Sequence, residues 1–280
     1  MRARSVLYVP ASRASAVAKA RGLEVDVVIL DLEDAVGPGD KATARHMAVE
    51  ALTAGGFRAA TVGVRLNGSG SPWGAGDLAA AARTQLDLIV VPKVEARAAL
   101  TPIMAAVPDA AVWAMIETPA ALFALETIAA TLADRPGSGL MLGSNDLSAA
   151  LGCGSGADRA PLHWAMSAVV AAARAHDLLA IDAVFNALDD DDGLRAECEQ
   201  GLRWGFDGKS LIHPRQVEIA TQAFSPTPEQ IAQAQAIVAA YATPESRESG
   251  AILVHGRMVE RLHLDRARRL LALHAKTESA

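Results

Sequence analysis

Short, mainly apolar runs alternate along the chain with longer stretches in which apolar residues recur every three or four positions. The runs are SVLYV (5–9), VVILD (27–31), TVGVRL (61–66), LIVVP (88–92), VWAMIE (112–117), LMLG (140–143), LLAID (178–182) and GKSLI (208–212). Near-continuous apolar runs of this length read as strands buried on both faces, as in parallel sheets. The stretches between them, among them RASAVAKARG (13–22), KATARHMAVEALTAGG (41–56), PAALFALETIAATLAD (119–134) and APLHWAMSAVVAAARAHD (160–177), carry helical spacing. Eight such alternations predict a (β/α)8 TIM barrel over residues 1–222. A doubly wound sheet is the rival, but no GxGxxG follows the first run.

Beyond residue 222 the pattern changes. FSPTPEQIAQAQAIVAAYA (224–242) predicts one helix with Thr227 as N-cap, Pro228 at its first position and Glu229 in its first turn. A polar linker, TPESRESG (243–250), precedes AILVHGRMV (251–259) and a basic helix, DRARRLLALHAK (265–276). Residues 223–280 therefore read as a C-terminal helical and hairpin extension, not a ninth barrel unit. The acidic run DDDD (189–192) reads as a solvated helix start.

Composition narrows the partners. At 280 residues, 51% hydrophobic and 21% charged, the chain is globular and large enough for one α/β barrel. A net charge of −6 argues against nucleic acid and anionic membranes as partners and points to small molecules, leaving room for a local basic pocket. Cys153 and Cys198, without CxxC spacing, give neither a disulfide framework nor a zinc site. The apolar run at the N-terminus is too short for a signal peptide or a membrane span, and a cytoplasmic location is expected.

In a barrel of this type the C-terminal strand ends form the working face. The polar residues there are Arg13, Asp31, Glu33, Asp34, Arg65, Asn67, Lys93, Glu95, Glu117, Ser144 to Asp146, Asp182 and His213. Glu117 and Asp146 end strands 5 and 6, which lie about 4.8 Å apart, so their carboxylates can share one ion. Oxygen ligands favour Mg2+ or Mn2+ over zinc. Two protein ligands leave positions open for substrate oxygens, as Lewis-acid catalysis requires. Arg65, placed across the mouth, can clamp a carboxylate bidentately.

The segments RSVLYVPASRASAVAKA, VILDLEDAV, VRLNG, VVPKVE, MIETP, LGSNDLSAALG and GFDGKSLIHPRQV resemble, in order and spacing, the citrate lyase β-subunit family of CoA-thioester lyases, which includes malyl-CoA and citramalyl-CoA lyases. The likeness runs over residues 4–242 and more loosely over 250–271. It implies a TIM barrel assembled as a homotrimer or hexamer, Mg2+ on Glu117 and Asp146, and the substrate carboxylate on Arg65. It also implies that Glu33 and Asp34 orient the metal's waters and pair with Lys41 or Arg45, Asp31 being structural. Arg13 and Lys19 would meet the phosphates of CoA and Tyr8 its thiol arm; His213, at the end of strand 8, reads first as a local hydrogen-bonding residue and only second as a lining of the acyl pocket.

In the family a lid aspartate in GKMID, reaching into the neighbouring subunit, serves as the catalytic acid; here the stretch reads HGRMVE (255–260), so Glu260 would take that part with roughly 1.5 Å more reach. The activity implied is a Mg2+-dependent carbon–carbon lyase on a short 3-hydroxyacyl-CoA such as malyl-, citramalyl- or citryl-CoA, or a lyase that also hydrolyses the thioester. An aldolase acting on a free hydroxy-keto acid and a non-catalytic subunit of a lyase complex are the alternatives.

Overall fold

Eight parallel strands close into a barrel in sequence order: β1 (Ser5–Pro10), β2 (Val27–Asp31), β3 (Thr61–Arg65), β4 (Leu88–Val91), β5 (Ala111–Ile116), β6 (Gly139–Leu142), β7 (Leu179–Asp182) and β8 (Gly208–Leu211), with β8 hydrogen-bonded back to β1. The computed structural model describes residues 1–154, 156, 158–242 and 250–278; the linker stretch 243–249 lies outside them. Around the barrel run α1 (Ala14–Arg21), α2 (Lys41–Ala54), α3 (Gly74–Ala81), α4 (Arg97–Ala106), α5 (Pro119–Phe123), α6 (Leu125–Leu132), α7 (Ser144–Leu151), α8 (His163–Ala175), α9 (Asp191–Trp204) and α10 (Val217–Ala223).

Strand side chains point alternately to the two faces of a sheet, and here both faces are buried. One set, including Val6, Tyr8, Val27, Ile29, Leu88, Val90, Trp113, Met115, Met141 and Ile181, fills the barrel interior. The other, including Leu7, Val28, Leu30, Val64, Ile89, Val112 and Leu140, packs against the helices. This explains why the runs lack polar alternation. The same period of two carries the interior series Val27, Ile29 up to Asp31, and Trp113, Met115 up to Glu117, so the last inward residue of each strand faces the mouth. Register aligns Asp31 with Arg65 across β2 and β3.

One predicted helix and one predicted site residue differ from expectation. The helix expected over 119–134 breaks at Ala124, whose φ of −105° leaves the helical region, so α5 and α6 are separate. At the break Leu122 and Leu125 stay buried while Phe123 projects into solvent against Trp164. The run at 189–192 does start a helix: Asp190 caps α9 by accepting from the Gly193 amide. Asp182, expected at the working face, instead points outward from β7 into a buried ionic cluster. It accepts from Arg159 at 2.7 Å and Lys209 at 3.2 Å, and Lys209 also donates to Glu197 at 2.6 Å.

The chain divides into two compact units, the second beginning at Ser225. That unit holds α11 (Pro228–Ala240), a hairpin of β9 (Ala251–Val254) and β10 (Arg257–Glu260), and α12 (Arg261–Glu278). Thr227 and Gln230 form a capping box at the start of α11. The hairpin turns on His255 and Gly256, both with positive φ, as a tight two-residue turn requires. α12 begins four residues earlier than its sequence pattern suggests, where the His263 ring accepts from the Glu260 amide and caps the helix. Ile237, Tyr241, Val254, Val259 and Leu264 form this unit's own core. No helix among the described residues is long and apolar enough to cross a membrane.

Candidate active site

The acidic end of β2 is organised by Asp31. Its carboxylate accepts the amides of Glu33 at 3.0 Å and Ala35 at 3.1 Å, which turns the chain off the strand. It also grips Arg65 with two parallel hydrogen bonds, Nε to Oδ1 and Nη2 to Oδ2, both 2.6 Å. The Nε–Nη2 edge of Arg65 thus belongs to Asp31, so the edge left for a substrate carboxylate is Nη1 with the second Nη2 proton. On that edge Nη1 lies 3.1 Å from Glu33 Oε2 and 3.2 Å from Asp34 Oδ2. The guanidinium lies 4.6 Å from the centre of the Tyr8 ring. Burial alone would lower the Arg65 pKa, but the Asp31 hydrogen bonds and charge hold it well above its ordinary value.

Glu117 is 1% exposed. Its Oε1 accepts the Lys93 amide at 2.7 Å, and no donor among the described residues bonds its Oε2. Burial, followed by the charge of Glu33, pushes its pKa up to about 7. Gly143, at the end of β6, makes the seat: a Cβ there would stand 2.5 Å from both Cβ and Oε2 of Glu117. Gly143→Ala should therefore displace the carboxylate, and a divalent cation held there would bind at least about tenfold more weakly, as measured by calorimetric titration. Lys93 reaches Glu33 Oε1 at 2.9 Å and Asp146 Oδ1 at 3.7 Å. Burial would lower its pKa, yet the hydrogen bond from Lys93 to Glu33 raises it overall. Glu33, raised chiefly by burial, leaves Oε2 buried without a hydrogen bond, since its approach to Arg65 is ionic contact in poor hydrogen-bond geometry.

Asp31, Glu33, Asp34, Glu117 and Asp146 thus face Arg65 and Lys93, five carboxylates against two cations. An excess of negative charge, a buried Glu33 oxygen with no donor and a glycine cradle under the Glu117 carboxylate fit a hard divalent cation held by Glu117 and Asp146. No group of three or more His, Cys, Asp or Glu residues suited to a metal occurs among the described residues, so such an ion would keep most of its positions for water and substrate. A cavity of about 290 Å³ opens beside them, lined among others by Tyr8, Asp34, Arg65, Glu117, Asn145 and Asp146.

Other expected residues fall elsewhere. Lys41 and Arg45 do not pair with Glu33 or Asp34: buried Lys41 donates to the carbonyls of Leu32 and Glu33 and to Asn67, while Arg45 bonds Asp77. Their effect is to fix the loop after β2 and the start of α3. Tyr8 is buried, its hydroxyl 2.9 Å from Met141 Sδ, so its ring supports Arg65 from within the barrel. Arg13 is exposed at the start of α1, at the mouth end; Lys19 is exposed in the last turn of α1, at the end that runs away from the mouth. His213 accepts the Arg215 amide and caps a 3-10 turn. Glu260 is exposed at the end of β10. The sequence did not single out Gly143 or the bridging position of Lys93; only their places directly after strand runs could have drawn attention to them.

A family model described as HpcH/HpaI aldolase/citrate lyase matches residues 4–214. A (3S)-malyl-CoA thioesterase of Cereibacter sphaeroides (strain KD131) is 43% identical over 270 residues, covering 96% of this chain and 93% of that protein. An L-malyl-CoA/beta-methylmalyl-CoA lyase of Cereibacter sphaeroides (strain ATCC 17025) is 33% identical, covering 92% and 90%. Among solved structures, the protein CitE of Mycobacterium tuberculosis in complex with magnesium, acetoacetate and coenzyme A superimposes with a TM-score of 0.79 at 32% identity, covering 97% and 98%.

Proposed function

The chain belongs to the HpcH/HpaI aldolase/citrate lyase family, and from that premise we propose that it is a Mg2+-dependent enzyme that hydrolyses the thioester of a short 3-hydroxyacyl-CoA of the malyl type. The observation that carries this reading is the buried Glu117 carboxylate, one oxygen without a donor, set beside Asp146 over the Gly143 cradle. The greater identity to the thioesterase than to the lyase favours hydrolysis over carbon–carbon cleavage as the outcome.

Glu117 and Asp146 would hold the ion, which supplies Lewis-acid polarisation of substrate oxygens when bound. The Nη1 edge of Arg65, which Asp31 leaves free, pairs with the carboxylate at the far end of the acyl chain once Asp34 swings aside; Asp34 is half-exposed and free to do so. Asp31 keeps the guanidinium flat against Tyr8 while this exchange occurs. Glu33, whose carboxyl pKa is raised by burial, would accept the proton of the attacking water. Water oxygen bonds to the thioester carbon, the carbon–sulfur bond breaks, and the thiolate leaves to take up a proton.

Carbon–carbon cleavage is the second reading, supported by the lyase relative. It would use the same site, with removal of the hydroxyl proton and protonation of the departing thioester enolate by Glu260 from the C-terminal extension of a neighbouring copy. Arg13 and Lys19 remain the proposed contacts for CoA phosphates.

Incubation with malyl-CoA and Mg2+, following free thiol and glyoxylate together, tests the assignment. Thiol release matching substrate loss without glyoxylate is expected; glyoxylate with acetyl-CoA would establish the lyase reading. No turnover of malyl-, citramalyl- or citryl-CoA would refute both, and cleavage of a free hydroxy-keto acid instead would establish an aldolase. Because Glu117 must lose its proton to bind a cation, Mg2+ affinity should fall with pH below about 7, by up to about tenfold per unit, in titrations from pH 8 to 5.5.

A further inference from the structure

Lys93 follows β4 with φ of +52°, the left-handed region that residues with a Cβ seldom occupy. That turn aims two donors of one residue at the same site. The amide fixes Glu117 Oε1, and the ammonium folds back over Glu33 and towards Asp146. Among the described residues Lys93 is the cation nearest Asp146. Its side chain is 44% exposed, so it can swing into solvent without stranding a buried charge, whereas Arg65 is locked in place. Without it, five carboxylates would face Arg65 alone.

We propose that Lys93 is a tethered counter-ion that competes with the divalent cation for the Glu33–Asp146 side of the mouth, stabilising the metal-free protein and lowering its affinity for metal. This rests on the metal reading above and goes beyond it by assigning a residue that sets occupancy. Two like charges cannot approach one carboxylate pair without mutual repulsion, and in a half-buried mouth that repulsion is only partly screened. The device keeps the mouth folded and less negative before the ion arrives, and makes retention of the ion depend on anionic substrate arriving with it.

The test is calorimetric titration of Mg2+ alone into wild type, Lys93→Met and Lys93→Arg at low and at 150 mM salt, with thermal melts before and after addition. Lys93→Met is expected to bind at least about tenfold more tightly than wild type, to melt lower without metal and to gain more on adding it. Lys93→Arg should stay within about threefold of wild type, and the gap between Met and wild type should narrow at higher salt. Equal or weaker binding by Lys93→Met overturns the inference while leaving the metal reading intact. A wild type that binds no Mg2+ overturns the metal reading and this inference with it. Lys93→Gln, which still offers Glu33 a donor, carries the same expectation if the Met variant does not fold.

Discussion

Glu117→Gln is expected to lower turnover by at least about a thousandfold while leaving the fold intact. The amide has the shape of the carboxylate, so it fits over Gly143 and its oxygen still accepts the Lys93 amide. What it lacks is the charge that holds a cation. The stability effect has the opposite sign to the catalytic one. A carboxyl whose pKa rises from 4.5 to about 7 on folding binds its proton more tightly in the folded state, so it destabilises the metal-free protein as pH climbs through that window. The metal-free variant at pH 8 should therefore melt at or above the wild-type temperature, and Mg2+ should shift it little. A variant that keeps activity, or that melts well below wild type, would contradict the proposed division of labour.

The second large effect lies away from the mouth. Asp182 and Lys209 are both 0% exposed, and Arg159 closes the cluster from the segment before α8. Burial alone would raise the Asp182 pKa, but Lys209 and Arg159 hold it below 3.8. Asp182→Ala leaves two buried cations with the single carboxylate of Glu197 and should cost about 3–5 kcal/mol in denaturant unfolding. Adding Lys209→Met to it should recover part of the loss, because the uncompensated charge goes with it. The sign for acid follows from the depressed pKa: this contribution is complete above about pH 4 and is lost as pH falls further, through the folded-state value.

The barrel was legible because its signal is redundant. Each buried parallel strand writes itself as an apolar run, and eight such runs leave few alternatives. Element ends were less legible, since they depend on contacts from other parts of the chain. The break at Ala124 carries no glycine or proline, and at the start of α12 His263 accepts the Glu260 amide from the third helical position, where Glu or Gln is usual. Within the mouth, strand-end position alone brought Arg65, Glu117 and Asp146 to notice. It could not say which face a residue takes, and for that reason Asp182 was grouped with them although it points outward. Pairing was equally hidden. Asp31 taking the Nε–Nη2 edge of Arg65, and Lys93 rather than Lys41 or Arg45 meeting Glu33, follow from register between strands and from one left-handed residue. Neither is written in local sequence.

The proposed chemistry rests on a single divalent ion shared by Glu117, directly after β5, and Asp146, which lies in the first turn of α7 and not at the end of β6. Titrating Mg2+ into wild type and into the Glu117→Gln, Asp146→Asn double variant at pH 8 puts that to the sharpest test. One ion per chain in the wild type and none in the variant is the predicted result; the same stoichiometry and affinity in both would place the metal elsewhere and contradict the assignment.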